Sequence, residues 1–229
     1  MEIFIVIAAI IAVWVWWKMT HYNDSDWVKN RIKGRNDDQV AVIRYFCNES
    51  ACLSKQPISD QEYDSMIASF LSKTDYKQKA INKIGLDESE ISEIEPVHFE
   101  GFVYDKQSLY KKGDDGRDRS SKYQVTWIFF SATEVYLYQN TFNMDEDGKR
   151  ERTEEYFYKD ITNFSTISET EEVAAYDPIQ AKGVLINKDT TKFSLVVPGE
   201  KLFCSLQQNE YTENSVKGMK AMLREKKNA

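Results

Sequence analysis

The chain has 229 residues, 41% of them hydrophobic and 13% aromatic, and carries a formal net charge of -7. This hydrophobic fraction is enough for a real core and excludes wholesale disorder. The excess of acidic over basic residues argues against general nucleic-acid binding, which needs Lys and Arg in excess on one face. We therefore expect no nucleic-acid partner.

The sequence also lacks the spacings that carry most protein chemistry. Its three cysteines, Cys47, Cys52 and Cys204, are too few and too scattered for a disulfide framework or a zinc site. Cys47 and Cys52 could pair locally, but reduced, packed thiols in a reducing compartment are the favoured interpretation. No Gly-rich phosphate loop or HExxH motif occurs. The sequence therefore predicts no catalytic residue, no metal and no cofactor.

An uninterrupted apolar run occupies residues 3–17 and opens the chain. As an α-helix it would measure about 22 Å, and a flanking lysine can extend it by keeping its ammonium group in water. Tryptophans cluster at one end of the run, as they do at membrane interfaces. The absence of a basic start and of a small-residue cleavage site favours a retained anchor over a signal peptide. The predicted anchor residues are Ile3, Trp14, Trp16, Trp17 and Lys18.

The charges that flank this run predict its orientation. No Lys or Arg precedes it, whereas five follow within about 20 residues: Lys18, Lys29, Arg31, Lys33 and Arg35. Residues 1–20 are therefore predicted to be a single-pass anchor of the inner (cytoplasmic) membrane, with the N-terminus outside and the C-terminal domain cytoplasmic. Residues 1–18 would contact the lipid bilayer. Residues 21–35 would form a basic juxtamembrane stalk, lying along the anionic leaflet or standing in solvent.

Residues 36–95 carry the signals of three or four short amphipathic helices. Apolar side chains recur at three- and four-residue spacing after Asp37. Ser59 followed by Glu62 predicts a capping box, and Gly85 predicts the end of a third helix. These helices would form a small bundle or a cap against the rest of the chain. A DNA-reading arrangement is disfavoured, because the third helix offers only lysines to phosphate.

Residues 96–229 are rich in strand signals and end in one amphipathic helix. Tyr123–Phe130 is apolar on both faces, which predicts a strand that is central or covered on both sides. Asp147-Gly148 predicts a hairpin with a solvated acidic tip. Near the end, Lys182–Asn187 and Lys192–Val197 are predicted as two strands joined by a turn at Lys188-Asp189.

The fold class predicted for the whole chain is α+β: a transmembrane helix, a short helical segment and a seven-stranded antiparallel domain. Seven strands followed by a single helix are the order of a pleckstrin-homology-like barrel or sandwich. Lipocalin-like barrels also finish with a helix but usually need more strands and ligand-sized gaps.

Two stretches, 79–102 and 119–166, resemble uncharacterised bacterial proteins that carry an N-terminal membrane helix. The segment YKDITNF at 158–164 is also similar to the strand entry of bacterial pleckstrin-homology-like domains. These resemblances imply a membrane-anchored protein with a pleckstrin-homology-like domain. Neither implies a catalytic residue.

The best candidate site in the sequence is the charged loop at 106–122. Its predicted ligand-binding residues are Lys111, Lys112, Arg117, Arg119 and Lys122. In pleckstrin-homology domains the loop between the first two strands holds anionic headgroups, which suits Arg and Lys. Acidic residues in the same loop could equally pair with these cations and leave a solvated loop.

These observations predict a membrane-tethered cytoplasmic binding or scaffolding module with a protein partner. The partner could add to an exposed edge strand or dock along the terminal helix. One alternative is recognition of an anionic lipid headgroup through the 106–122 loop. The alternative of another class is an enzyme whose site is assembled from dispersed carboxylates.

Overall fold

The computed structural model describes residues 2–20, 24–47, 58–87, 94–207 and 209–228. Over these ranges the chain is α+β, with six helices and nine strands. The helices are α1 (Glu2–Thr20), α2 (Asp26–Ile32), α3 (Asp37–Phe46), α4 (Asp60–Ser72), α5 (Tyr76–Ile84) and α6 (Glu210–Asn228). The strands are β1 (Val97–Val103), β2 (Leu109–Lys112), β3 (Asp118–Ser120), β4 (Lys122–Phe130), β5 (Glu134–Asn143), β6 (Lys149–Phe157), β7 (Asn163–Asp177), β8 (Lys182–Val197) and β9 (Glu200–Ser205).

The strands form two sheets, and the predicted fold of seven antiparallel strands behind a membrane helix is wrong. One sheet has the order β1-β4-β5-β6 and the other has the order β3-β2-β7-β8-β9. The second sheet is mixed, because β2 pairs with β7 in parallel. Residues 106–122, predicted as a loop, contribute β2 and β3. The two strands predicted between residues 182 and 197 are one continuous strand, β8.

The predicted transmembrane anchor is also wrong. In the part of the chain that the structure describes, no helix combines the length and apolar character needed to cross a membrane. The physical reason is length: the apolar part of α1 lies between Glu2 and Lys18 and measures about 22 Å, against about 30 Å of hydrocarbon in a bilayer. This contradicts the predicted single-pass inner-membrane location and the topology built on it. Trp14 and Trp16 lie on this helix with 55% and 64% of their surface exposed.

Strand β4 lies at the centre of the molecule, between two apolar layers. Tyr123, Val125 and Phe129 face one core cluster, which also contains the buried side chains of α2 to α5. Ile128 and Phe130 face a second cluster, shared with the other sheet and α6. The prediction that both faces of this strand are covered is confirmed. The helical segment is therefore a cap on the four-stranded sheet.

The helices of this cap begin and end at the residues that the sequence indicates. Ser59 and Glu62 form a capping box at the start of α4, in which Ser59 Oγ accepts from the Glu62 amide and Glu62 accepts from the Ser59 amide. Gly85 ends α5 with φ at +81°, a conformation that favours glycine. Both predictions are confirmed, because capping depends on neighbouring residues alone.

The acidic turn between β5 and β6 ties this cap to the sheet. Arg31 on α2 contacts Asp145 at 3.1 Å, and Gln39 on α3 donates to Asp147 at 2.7 Å. Asp145 is only 3% exposed, whereas Asp147 and Gly148 are exposed, so the end of the turn is the solvated tip that the sequence predicts and its beginning is buried against the cap. In the segment predicted as a stalk, Val28 is 1% exposed and belongs to the core.

Candidate functional site: a cleft along the free edge of β8

A buried arginine fixes α4 against the β2–β3 hairpin and so forms one wall of a cleft. Arg119 on β3 is 1% exposed. Its guanidinium donates to both oxygens of Asp64 at 2.8 and 2.7 Å and to both oxygens of Asp115 at 2.8 Å. Bidentate pairs of this kind are the strongest side-chain hydrogen bonds and determine orientation as well as distance. The position of α4 is therefore held by charge as well as by apolar contact.

Asp60, at the first position of α4, extends this network to α3. Tyr45 Oη donates to Asp60 at 2.7 Å, and the Asp114 amide donates to the other carboxylate oxygen at 2.7 Å. Burial alone would raise the pKa of Asp60, but these hydrogen bonds and the charge of Arg119 outweigh it and hold the pKa below its ordinary value. The hydrogen bonds from Arg119 likewise hold the pKa of Asp115 well below its usual range.

The five cations predicted to bind a ligand are not brought together. Arg119 is used by the network above, and Lys122 pairs with Asp105 at 2.9 Å. Lys111 lies 4.2 Å from the ring centre of Tyr45, and burial lowers its pKa. Lys112 is exposed on β2, and Arg117 is exposed near Asp115. Of the five, Arg117 and Arg119 reach the cleft described next.

The cleft has a volume of about 840 Å³ and lies between α4, β1, the β3 hairpin and β8. Its apolar wall combines side chains of α4 and β1 with the start of β4. Residues that line it are Asp64, Ile67, Ala68, Leu71, Glu100, Phe102, Tyr104, Gly116, Arg117, Asp118, Arg119, Tyr123, Lys188, Asp189, Thr190, Thr191, Lys192, Leu206 and Gln207. Cations and carboxylates are present in similar number, so the cleft does not select for one sign of charge.

The cleft follows the edge of β8 rather than one face of it. Five consecutive residues, 188–192, all line it. Neighbouring residues of a strand point to opposite faces, so only a cleft that runs along the edge can touch all five. Strand β9 pairs with β8 only as far as Lys192 opposite Ser205, and no other strand of the described chain continues the pairing toward Lys182. From 182 to 191 this edge of β8 therefore has no strand partner within the described chain, and residues 188–191 of it face the cleft.

The edge is open because β9 turns away at its end. Ser205 donates its amide to Gln124 Oε1 at 2.7 Å, and Gln207 donates its amide to the Glu100 carbonyl at 3.0 Å. The chain that follows β9 therefore pairs with β1 and leaves β8. This turn separates β8 from β1 and creates the cleft between them.

Successive residues of β8 direct their backbone amide and carbonyl groups alternately toward β7 and toward the cleft. Thr190 Oγ1 donates to the carbonyl of Glu169, its partner in β7, at 3.3 Å. Ser205, opposite Lys192, donates its amide to Gln124 Oε1. Because alternate residues of a strand bond to opposite neighbours, we infer that the backbone groups of Thr190 and Lys192 face β7. On this inference, the amide and carbonyl groups of Asp189 and Thr191 face the cleft.

The charged side chains of β8 are held beside the edge rather than across it. Lys188 contacts Asp118 at 2.7 Å, and Lys192 pairs with Glu171. Burial alone would raise the pKa of Asp118, but the bonds from Lys188 and Tyr110 hold it below its ordinary value. These pairs draw the lysines toward β3 and β7 and leave the backbone of Asp189 and Thr191 accessible from the cleft.

The remaining sequence candidates supply no second chemical site. Across the residues that the structure describes, no group of three His, Cys, Asp or Glu side chains is arranged to hold a metal ion. Cys204 is a buried free thiol whose pKa burial raises to about 12. Cys47 is buried as well, and Cys52 lies outside the described residues. His98 stacks on Trp127 with 4.7 Å between ring centres, and burial lowers its pKa.

No protein-family model, no curated protein and no solved structure matches this chain. The resemblance to membrane-anchored bacterial proteins with a pleckstrin-homology-like domain therefore stays a prediction. The geometry of the site is therefore the basis on which a function is proposed.

Proposed function

We propose that this chain is a protein-binding module that captures an extended segment of a partner by strand addition to β8. The observation that carries this proposal is the line of five consecutive β8 residues along the cleft, with β9 ending opposite Lys192. Unpaired amide and carbonyl groups at a sheet edge are a template for another strand. Strand addition of this kind is a recurring mode of peptide recognition.

The cleft provides both parts of such an interaction. The backbone of Asp189 and Thr191 supplies hydrogen bonds, each worth about 0.5–1.5 kcal/mol net. Phe102, Tyr104 and Tyr123 line the cleft and provide apolar surface for side chains of the bound segment. Backbone bonds give affinity without sequence preference, whereas the side-chain contacts select the sequence. The module would thus bind, at one site, extended segments whose side chains fit the apolar surface of the cleft.

A proline substitution tests the role of the edge directly. Peptides selected from a phage-displayed library of random 12-residue sequences on the full chain serve as probes. Thr191→Pro removes an amide that faces the cleft and places a ring against the incoming strand. We expect it to weaken the selected peptides by about tenfold or more, which is about 1.4 kcal/mol. Fluorescence anisotropy measures the change.

Thr191→Val is the matched control, because it keeps the amide and the β-branched shape. We expect peptide affinities within about twofold of wild type for this variant. In amide hydrogen exchange, bound peptide should slow exchange at Asp189 and Thr191. Failure to enrich any peptide, or equal affinity of selected peptides for Thr191→Pro and wild type, would show that the edge is not the binding site.

A further inference from the structure

A second concave surface lies on the opposite side of α4 from the cleft, and we call it the helix groove. It has a volume of about 890 Å³ and lies between α3, α4 and the turn from β5 to β6. Its lining residues are Asn36, Asp38, Gln39, Ala41, Ile58, Glu62, Ser65, Met66, Ser69, Phe70, Lys73, Phe142, Asn143, Met144, Glu146, Asp147, Gly148 and Lys149. It shares no lining residue with the cleft.

The contribution of α4 to this groove is a stripe along nearly the whole helix. Glu62, Ser65, Met66, Ser69 and Phe70 line it, together with Lys73 at the C-cap of the helix. Steps of three and four residues place these side chains on one helical face. From Glu62 to Lys73 the stripe rises about 16 Å, or three turns. A groove that follows a helix for three turns has the length and direction of a second helix lying beside it.

The floor of the groove is apolar, and two of the α4 side chains that line it are small. Phe70 stacks on Phe142 with 4.2 Å between ring centres and 26° between planes. Met66 and Met144 also line the groove, and flexible methionine side chains adapt to varied apolar surfaces. Ser65 and Ser69 are small and exposed, which allows the backbone of another helix to approach closely. The floor thus suits the apolar stripe of an amphipathic helix.

The rim of the groove is acidic. Four carboxylates line it, from Asp38, Glu62, Glu146 and Asp147, against the two ammonium groups of Lys73 and Lys149. Arg35, which lies outside the lining, contacts Glu146 at 3.0 Å, whereas Asp38 is exposed at the start of α3. A docked helix with basic residues beside its apolar stripe would complement this rim, and an acidic helix would be repelled by it.

We propose that the helix groove docks a basic amphipathic helix of another protein, at a site distinct from the β8 edge. The length of the α4 stripe indicates the helical form, the Phe70–Phe142 floor indicates the apolar face, and the rim indicates the basic flanks. Such helix-in-groove recognition uses anchors at three- and four-residue spacing. The module would then hold two partner segments of different secondary structure on the two sides of α4.

The test uses three synthetic 16-residue peptides and the full chain. The first carries leucine on one helical stripe and lysine elsewhere, the second replaces lysine by glutamate, and the third is a scrambled form of the first. We expect the first to bind at least about tenfold more tightly than either of the others, in titration calorimetry. Equal binding of the scrambled peptide would show attraction by charge alone and would overturn the proposal.

Adjacent residues of α4 provide matched blocking variants. Ser69 lines the helix groove and Ala68 lines the cleft, and both are exposed. Ser69→Trp fills the groove and should weaken the Leu/Lys peptide by about tenfold, whereas Ala68→Trp should leave its affinity within about twofold. Ser65→Trp repeats the block one turn earlier. If Ser69→Trp and Ser65→Trp both bind the Leu/Lys peptide as wild type does, the groove is not its site.

Discussion

The cleft and the helix groove lie on opposite sides of the same helix, α4, and they are held in different ways. On the cleft side, α4 is fixed by the carboxylates of Asp60 and Asp64 around Arg119. On the groove side, it is fixed by the apolar stack of Phe70 on Phe142. One short helix thus shapes two concave surfaces whose stability responds to different perturbations. Changes of charge or pH should affect the stability of the cleft side, and changes of apolar volume should affect that of the groove side.

Removing the buried guanidinium should have the largest effect. Arg119→Ala leaves the carboxylates of Asp60, Asp64 and Asp115 close together without their cation. Breaking a buried ion pair costs about 3–5 kcal/mol, and we expect the lower end because Asp64 and Asp115 keep partial contact with water. Urea unfolding measures the free energy. Peptide binding in the cleft should also weaken, since α4 loses its position there.

Arg117→Ala is the control for this substitution, because Arg117 is exposed on the same hairpin. We expect its unfolding free energy to lie within about 0.5 kcal/mol of wild type. A loss of under 1 kcal/mol in Arg119→Ala would mean that the network does not hold α4. The cleft side of α4 would then not be held by charge, and the two sides of the helix would not differ in this way.

Proline substitutions at two neighbouring positions of β8 should distinguish the edge that pairs with β7 from the edge that faces the cleft. Thr190→Pro removes an amide that we infer to face β7, and it also removes the Oγ1 hydroxyl that donates to the Glu169 carbonyl. Leaving that carbonyl without its donor costs about 1–3 kcal/mol. Thr191→Pro removes an amide that we infer to face the cleft, where no strand among the described residues pairs with it. Thr190→Pro should therefore unfold at lower urea concentration. Equal destabilisation by both would show that the edge direction is wrong.

The sequence predicts the parts of this fold that depend on local pattern. The two apolar faces of Tyr123–Phe130, the Ser59–Glu62 capping box and the stop at Gly85 are all confirmed. Each is set by residues within a few positions of one another or by strict alternation along a strand. Such signals do not require knowledge of which distant elements meet.

The site itself was missed for a physical reason. The polar residues around Lys188-Asp189 predict a turn, yet the strand continues through them and turns only near Ala181, whose φ is +51°. These residues are polar because an open edge beside a cleft is exposed to water. Exposed edges and turns share this composition, so the sequence alone does not separate them. In the structure, β8 pairs with β7 without a break from Lys182 to Val196, so Lys188 and Asp189 belong to a strand and not to a turn.

The ion pairs of the cations in the 106–122 segment are hidden in the sequence for a related reason. Arg119 and Lys122 look available for an anionic ligand in sequence, but carboxylates of Asp64 and Asp105 reach them in the fold. Asp64 lies 55 residues before Arg119, on a different element. No spacing rule links two such positions. The acidic residues of the 106–122 segment already indicate such pairing in the sequence, and Asp115 makes it, whereas the contribution of Asp64 on α4 appears only in the fold.

The smallest effect expected is a difference in pH dependence between the two sides of α4. The hydrogen bonds and the Arg119 charge hold the pKa of Asp60 below its ordinary value. A depressed folded-state pKa adds stability that is complete above the unfolded pKa of about 3.9 and is lost as pH falls through the folded value. Asp60→Asn should therefore cost less stability at pH 3 than at pH 7. Phe70→Leu, which changes only apolar volume, should cost the same at both, about 1–2 kcal/mol. Urea unfolding of both variants at the two pH values measures this contrast, and a pH-independent cost for Asp60→Asn would show that its charge does not stabilise the cleft side.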